Sequence, residues 1–388
     1  MAVSLKRLIS QVTHMDVRLL AGEKGLENLV HWVHMVETIE ACDFLEGKEI
    51  AFTTGIGLNT GTTLLGLAKR LHKYNASGLV VNIGPFIEAV DSDVLTYCNE
   101  HDFPVFTVPW RIHLAEMIRI FSFSITKSDQ KELELTSAFK NAIFFPKQDE
   151  LYMTPLLKND LQADWTYCAA VLTVQGIEQN MEYRLNKMHQ AISNFICHHF
   201  KNCISFLYEG SILLVFANYD ENMLHQTMDE IKKFISRIIC LKESICYGVG
   251  KCTKSIRCLY KSYKQAISVQ KLQVKGKIDR NMIYYTEMGI YKLLMGIDDK
   301  EILDDHYEQT ILPLTKYDQE HHSDLTAVLS CYLKHNGSVK ETAAVLYTHR
   351  NSVNYKLRKI SELLQMDLST LHTRMILEIG FMLQDITL

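Results

Sequence analysis

The sequence predicts a multidomain protein in which an α/β domain precedes an α+β domain and an all-α carboxyl-terminal domain. Three observations predict this fold class. The first third alternates short apolar strands with helical segments, and the middle follows a strand–helix–strand–strand–helix–strand order. The last part reads as two short helices joined by a tight turn. At 388 residues, the chain is long enough for two or three separate cores.

The same patterns suggest boundaries. We expect an α/β domain over 1–125, a helical connector over 126–149 and an α+β domain over 150–285. A helical linker over 286–320 and a helix-turn-helix domain over 321–388 follow.

Composition is typical of a globular protein, with 47% hydrophobic and 22% charged residues. The net charge of -4 excludes a broadly basic protein, so any nucleic-acid contact must come from a local patch. No apolar run approaches the length of a membrane span, and the start lacks a secretory apolar segment. We therefore expect a cytoplasmic protein without a membrane partner.

In the first domain, short apolar strands separated by helices predict a parallel sheet covered on both faces. Ligands of such sheets bind beyond the carboxyl ends of the strands. Side chains there could grip an amide or urea-like ligand, or they could simply be strand ends and turns. The predicted strands are 30–36, 50–54, 78–83 and 105–108, the helices are 63–74 and 88–101, and the candidate ligand residues are Glu37, Thr53, Thr54, Gly55, Asn82 and Trp110.

The segment from Arg111 to about Phe145 reads as a long helix. Leu114, Met117 and Phe121 begin an apolar stripe, which could pair with a second copy in a dimer or pack on its own domain.

The middle region has the order of a split βαβ unit with an antiparallel hairpin at its centre, typical of a ferredoxin-like domain. The predicted strands are 166–174, 203–208, 212–217 and 244–249, and the predicted helices are 182–199, 222–240 and 256–273.

The carboxyl-terminal region has the pattern of a helix-turn-helix. Ser338 and Glu341 predict a capping box at the start of the first helix. In the second helix a buried stripe of four apolar residues lies opposite a polar face. The stripe is Val353, Leu357, Ile360 and Leu364.

This polar face favours DNA as the partner, although an amphipathic hairpin with a solvated face would give a similar pattern. The first residues of the second helix meet base edges in helix-turn-helix proteins, where Arg pairs with guanine and Asn with adenine. Lys356, Arg358 and Lys359 are suited to phosphates. The candidate DNA-binding residues are Ser338, Lys340, Thr348, His349, Arg350, Asn351, Ser352, Asn354, Tyr355, Arg358 and Lys359.

Ten cysteines invite a metal or disulfide interpretation, but none forms a Cys-x-x-Cys pair. Cys240, Cys246, Cys252 and Cys258 recur every six residues, which is no standard ligand spacing. Cys203 and the run Cys197-His198-His199 are explained more simply by half-buried thiols and helix-end histidines. We expect reduced thiols, no metal and no cofactor.

The run from Leu325 to about Leu368 resembles the carboxyl-terminal helix-turn-helix of the purine-catabolism regulator (PucR) family of bacterial transcription factors. The sequence departs from the family at Asn354 and Lys356, where Arg is more common, so operator preference does not transfer. The matching residues are Tyr332-Leu333, Asn336-Gly337-Ser338, Glu341-Thr342-Ala343, Leu346, His349-Arg350-Asn351-Ser352-Val353, Tyr355, Leu357, Ile360 and Leu363-Leu364.

The first domain resembles the amino-terminal domain of the same family, which implies that it senses a small metabolite such as a purine-breakdown product. The residues are Val30-His31-Trp32-Val33-His34, Glu37, Leu45, Gly47, Glu49, Phe52-Thr53-Thr54-Gly55 and Pro104-Val105.

The middle domain is similar to the degenerate diguanylate-cyclase-like (GGDEF-like) domain of these regulators through Tyr247-Gly248-Val249-Gly250 and Ser262-Tyr263-Lys264-Gln265-Ala266. An active cyclase needs acidic residues on its central hairpin to hold metal. Here the hairpin reads Tyr208-Glu209-Gly210-Ser211-Ile212, with one acid. We therefore expect a regulatory module and no enzyme.

Together the resemblances imply a ligand-responsive bacterial transcriptional regulator, controlling genes of purine, ureide or related nitrogen catabolism. Its implied partners are operator DNA, a small-molecule effector, a second copy in a homodimer or higher oligomer, and RNA polymerase. The alternatives are a nucleotide-binding sensor built on the middle domain, a nucleotide cyclase, or a ureide-converting enzyme in the first domain.

Overall fold

The computed structural model describes residues 3–58, 63–176, 180–239, 243–297 and 299–387. The chain divides into two compact units. The first contains Met1–Asn141, Gln148–Gln162 and Ala191–Lys201, and the second contains Ala142–Lys147, Ala163–Gln190 and Asn202–Leu388. No helix within the described ranges is long and apolar enough to cross a membrane.

The amino-terminal part is built on a five-stranded mixed sheet. Its elements are β1 Val3–Ser4, α1 Leu5–Ser10, β2 Arg18–Ala21, β3 Leu29–Val30, β4 Trp32–Met35, β5 Glu49–Thr53, α2 Leu64–Lys73, β6 Gly78–Ile83, α3 Ser92–Glu100, β7 Val105–Pro109, α4 Leu114–Phe144 and α5 Met153–Lys158.

The strand order is β2-β7-β6-β5-β4, and the last four strands are parallel, as predicted. Strand β2 pairs antiparallel with β7 at one edge, so a purely parallel sheet was wrong for this strand. The prediction missed β2 because a bulge between Leu19 and Ala21 breaks its alternation. Both faces carry a buried core, with Leu67, Leu71 and Val81 on one side and Phe52, Phe106 and Phe121 on the other.

Helix α4 is a single helix of 31 residues, within the segment that the sequence predicts to be helical. Its first turns place Leu114, Met117, Phe121 and Ile125 in the core below the sheet. The apolar stripe predicted for this helix therefore packs, at its start, on the amino-terminal domain.

The middle of the chain forms a four-stranded antiparallel sheet of order β11-β8-β10-β9, the ferredoxin-like arrangement predicted from the sequence. The tip of the central hairpin is Glu209-Gly210, and both residues have positive φ, as a two-residue hairpin turn requires. The elements are β8 Tyr167–Gln175, α6 Met181–His199, β9 Cys203–Tyr208, β10 Ser211–Ala217, α7 Glu221–Ile238, β11 Ser244–Val249 and α8 Leu259–Val274. The predicted end of α7 at Cys240 lies outside the described residues.

The glycines of the Tyr247–Gly250 motif let α8 approach β11 closely. A Cβ added to Gly248 would lie 1.9 Å from the Ala266 carbonyl oxygen, and one on Gly250 would lie 2.0 Å from that of Ser262. The Ser262 hydroxyl in turn accepts from the Ala169 amide at 2.9 Å. This motif therefore serves helix–sheet packing in this chain.

Seven helices complete the second unit's described part: α9 Tyr291–Met295, α10 Lys300–Thr310, α11 Leu312–His321, α12 Leu325–Lys334, α13 Val339–Val345, α14 Arg350–Leu364 and α15 Leu371–Thr387. Ile311 and Leu314 share one core with the helix-turn-helix, so the predicted linker is partly integral to it. Asp385 near the end of α15 accepts from the Tyr291 hydroxyl at 2.8 Å and pairs with Lys277 at 2.7 Å.

Candidate nucleic-acid interface

Helix α13 begins at Ser338, whose hydroxyl accepts from the Glu341 amide at 3.3 Å. The reciprocal half of the predicted capping box is wrong, because the Ser338 amide donates to the His335 carbonyl at 2.9 Å. The amide is already used by the turn that ends α12, so Glu341 has no donor to reach.

The turn between α13 and α14 is a Schellman motif, a helix end closed by two backbone bonds. The Thr348 amide donates to the Ala343 carbonyl at 3.0 Å, and the Tyr347 amide donates to Ala344 at 3.4 Å. Tyr347 has φ 51° in the left-handed region. His349 then caps α14, because its Nδ1 accepts from the Asn351 amide at 3.2 Å.

The apolar stripe predicted for α14 is buried in the carboxyl-terminal core. Val353 and Ile360 are fully buried, and Leu357 and Leu364 nearly so. Because helical residues advance by about 100° each, Asn351, Tyr355 and Arg358 project from the opposite side. Tyr355 is 72% exposed.

The polar side chains on this outer side have unused bonding capacity. Arg350, Asn351, Asn354 and Arg358 are exposed, and their side chains make no hydrogen bond or ion pair with any residue that the structure describes. Lys340 on α13 is likewise exposed. Free guanidinium and amide donors on one surface can bind base edges and phosphates.

Two lysines of α14 have partners within the fold. Lys356 pairs with Asp324 at 2.5 Å, next to the start of α12, and its assignment to a DNA phosphate stays a prediction. Lys359 lies 5.7 Å from the ring centroid of Tyr317, where it is still half-exposed. Two of the residues predicted to contact phosphates therefore differ. Arg358 has no partner among the described residues, whereas Lys356 is paired with Asp324.

Asp318 at the end of α11 holds the start of α12, a role that the sequence did not reveal. Its carboxylate accepts from the amides of Leu325 and Thr326, both at 2.8 Å, and from the Ser323 hydroxyl. Burial raises the pKa of Asp318, but these bonds outweigh it and hold the pKa below its usual range.

The predicted ligand residues of the first domain do meet at the carboxyl edge of the sheet, but they bond to each other. The Glu37 carboxylate accepts from the Thr53 hydroxyl at 3.0 Å, the Thr54 hydroxyl at 2.8 Å and the Gly55 amide at 3.1 Å. Glu37 thus fixes the loop after β5. These bonds engage both oxygens of Glu37 within the fold, and its contact with a ligand amide stays a prediction.

Asn82 is also used internally, since its amide donates to the Pro109 carbonyl at 3.1 Å and is buried. Trp110 is different, being 46% exposed and packed edge-on against Phe86 with centroids 5.9 Å apart. A Cβ on Gly84 would lie 2.4 Å from the Trp110 ring, so Gly84 makes room for the indole. Within the predicted set, Trp110 retains surface for a ligand.

The middle domain places one acid, Glu209, at its exposed hairpin tip, and Tyr208 beside it stacks on Phe144 at 4.3 Å. Over the described ranges, no three His, Cys, Asp or Glu side chains are grouped to hold a metal ion. The nine cysteines described there are free thiols, and Cys240 lies outside the described residues.

Comparison with protein families explains the order of these parts. Residues 8–125 match the purine catabolism regulatory protein-like (PucR) family, residues 159–272 match a GGDEF-like domain, and residues 325–383 match the PucR carboxyl-terminal helix-turn-helix domain. The chain thus carries regions similar to both PucR-family domains, one at each end, with a GGDEF-like region between them. The resemblance predicted from the sequence is confirmed in all three regions.

Three similar proteins from Bacillus subtilis have names that state a role. The proline-responsive transcriptional activator PutR is 27% identical over 182 residues, and the DNA-binding transcriptional activator AdeR is 26% identical over 133 residues. The purine catabolism regulatory protein is 39% identical over 120 residues. The alignments span 45%, 34% and 31% of this chain and 44%, 32% and 23% of the relatives, so the chain spans less than half their length.

Proposed function

We propose that this protein is a transcriptional regulator of the PucR family that binds operator DNA through α13 and α14 and responds to a small effector at its amino-terminal domain. The observation that supports the proposal most directly is the unpartnered donor face of α14 within a PucR-type helix-turn-helix. Water solvates these exposed donors in the free protein, and a DNA groove supplies acceptors that can replace that water.

The roles on this face follow from position. Arg350 and Asn351 lie in the first turn of α14, where helix-turn-helix proteins read bases, so Arg350 would bind a guanine and Asn351 an adenine. Ser352 and Asn354 flank them, and Tyr355 lies one turn on. Ser338, Lys340, Thr348, His349, Arg358 and Lys359 would contact the sugar–phosphate backbone, which fixes the register of the helix.

For the effector, we favour a small nitrogen-containing metabolite that contacts Trp110. One relative is named for its response to proline and another for purine catabolism, so the chemical class proposed for the effector is what such metabolites share, namely nitrogen. The exposed indole offers a flat apolar surface to a planar or ring-shaped ligand. Thermal shift of the full chain with purines, ureides and proline, compared with Trp110→Ala, would identify the ligand and its site.

A regulator of this kind would work as a homodimer on two half-sites spaced by about one helical turn, roughly 10 bp or a multiple of it. Two of the relatives are named as activators, which favours a contact with RNA polymerase at the promoter. A DNA partner in turn favours a cytoplasmic location. A footprint covering a single asymmetric half-site would contradict the dimer.

The decisive experiment selects the preferred duplex from a random-sequence library with the wild-type chain and then measures its affinity by fluorescence anisotropy. We expect Arg350→Ala to reduce specific affinity about 10- to 100-fold, because a bidentate base contact contributes about 1–3 kcal/mol. Arg350→Lys is the matched variant: it keeps the charge and loses the planar fork, so discrimination should fall more than non-specific binding.

Retention of specific binding by both Arg350→Ala and Asn351→Ala would show that α14 is not the recognition helix. Absence of any selected sequence with the wild-type chain would contradict the proposed function as a whole.

A further inference from the structure

Tyr347, at the turn between α13 and α14, has a conformation and an exposure that its residue type does not favour. Its φ of 51° is left-handed, which L side chains other than Asn and Asp adopt infrequently. Its side chain is 98% exposed. The ring and hydroxyl have no stacking, cation or hydrogen-bond partner among the residues that the structure describes.

The helix end itself does not need a tyrosine. The two bonds of the Schellman motif come from backbone atoms, and a residue at this position only has to tolerate the left-handed conformation. At other helix ends in the described residues, the left-handed residue that follows the C-cap is Asn, Asp or Gly. These residues are Asn75, Asp102, Asp160, Gly276 and Asn336.

The position of Tyr347 points to what its side chain could contact. It lies three residues before Arg350, and the cap residue His349 separates it from the first turn of α14. When the first turn of a recognition helix enters the major groove, the preceding turn lies at the rim of the groove, where the phosphates run. Tyrosine hydroxyls are among the groups that bind phosphate oxygens, and the ring can pack on the sugar.

We infer that Tyr347 is a DNA-backbone contact that positions α14 in the groove, with its hydroxyl donating to a phosphate oxygen and its ring against the adjoining deoxyribose. This inference rests on the proposed DNA-binding function and adds a residue outside the recognition helix. Because tyrosine is neutral, the contact supplies affinity without releasing counterions.

The test compares Tyr347→Asn and Tyr347→Phe with the wild-type full chain on the duplex that the wild type selects. Asn suits the left-handed position, so Tyr347→Asn should melt at or above the wild-type Tm while its affinity falls about 5- to 10-fold. Tyr347→Phe keeps the ring and should lose about 2- to 5-fold, less than Tyr347→Asn, because only the hydrogen bond to the phosphate is removed. Both variants should retain the wild-type salt dependence and the wild-type ratio of specific to non-specific affinity.

Tyr183→Ala, which removes another exposed tyrosine (68% exposed) on α6, should bind as the wild type does. Wild-type affinity in Tyr347→Asn, alongside lost binding in Arg350→Ala, would overturn the Tyr347 inference and leave DNA binding intact. A drop in Tm of several degrees in Tyr347→Asn would assign the tyrosine to the fold and also overturn it. A changed sequence preference would overturn the backbone assignment, and no binding by the wild type would overturn both proposals.

Discussion

The carboxyl edge of the amino-terminal sheet and the outer face of α14 both gather polar residues, but they use them differently. At the sheet edge, Glu37 accepts from Thr53, Thr54 and Gly55, so its oxygens are satisfied by the chain itself. On α14, Arg350 and Arg358 have no partner among the described residues. A cluster that satisfies itself contributes stability, and a cluster that does not is available for a ligand.

Replacing Glu37 tests the first half of this comparison and should have the largest effect. Glu37→Ala removes the acceptor of the Thr53 and Thr54 hydroxyls and of the Thr54 amide, while the Gly55 amide can still donate to the Thr53 hydroxyl. This loss should cost about 2–4 kcal/mol of unfolding free energy. Chemical denaturation measures it. Glu40→Ala, an exposed carboxylate nearby, should change stability by less than about 0.5 kcal/mol.

If Glu37→Ala and Glu40→Ala changed the unfolding free energy equally little, the Glu37 bonds would not be structural. That result would favour the sheet edge as a ligand-binding site.

Asp318 on α11 accepts hydrogen bonds from backbone amides, as Glu37 does at the sheet edge. It makes stability depend on pH. The pKa of Asp318 is held low in the folded state. Its contribution to the free energy of unfolding is therefore present above the unfolded-state pKa of about 3.9 and is lost as the pH falls below that value. Because it caps α12, Asp318→Ala should cost about 1 kcal/mol at neutral pH. The Tm difference between wild type and variant should narrow between about pH 4 and pH 3. A constant difference would contradict this role.

Arg358→Ala tests the opposite half of the comparison. Its guanidinium has no partner within the described residues, so unfolding free energy should change by less than about 0.5 kcal/mol. DNA affinity should fall across all sequences, and the slope of log affinity against log salt should decrease by about one, as for one lost phosphate contact. Lys233→Ala on α7, an exposed lysine of the middle domain, is the control and should leave both unchanged.

Replacing Lys356 should have the smallest effect on stability. This residue lies on α14, as Arg358 does, but it pairs with Asp324. The carboxylate is 58% exposed and the lysine 30%, so a double-mutant cycle with alanine at both positions should return about 0.2–1 kcal/mol of coupling in stability. Lys356→Ala should weaken DNA binding less than Arg358→Ala. The reverse order would place Lys356 on the DNA despite its partner.

The sequence predicted most elements because their signals are local. Strand β6 occupies 78–83 as expected, and the four-residue stripe of α14 is buried as its spacing required. Strand β2 was missed because a bulge interrupts its pattern, and half of the Ser338 capping box failed because the amide was already bonded to His335.

The candidate sites were harder to predict, because bonding partners are set by the fold rather than by residue type. Glu37 and Arg350 look equally suited to bind a ligand in the sequence. In the structure, Glu37 is hydrogen-bonded to residues 16 or more positions away, whereas Arg350 has no partner among the described residues. No sequence pattern indicated the role of Asp318, because its partners are backbone amides at the start of the next helix. Tyr347 could have been found from the sequence: an aromatic residue at the end of a short helix, where Gly or Asn is usual, is unexpected.

The hairpin tip at Glu209-Gly210 has a practical consequence for studying the molecule. A Cβ added to Gly210 would meet nothing within 4 Å, and Glu209 is exposed. In a variant that lacks the half-exposed thiols Cys197, Cys252 and Cys258, a cysteine introduced at Glu209 would therefore take up a fluorescent dye at this exposed tip. Such a label would lie outside both proposed binding surfaces.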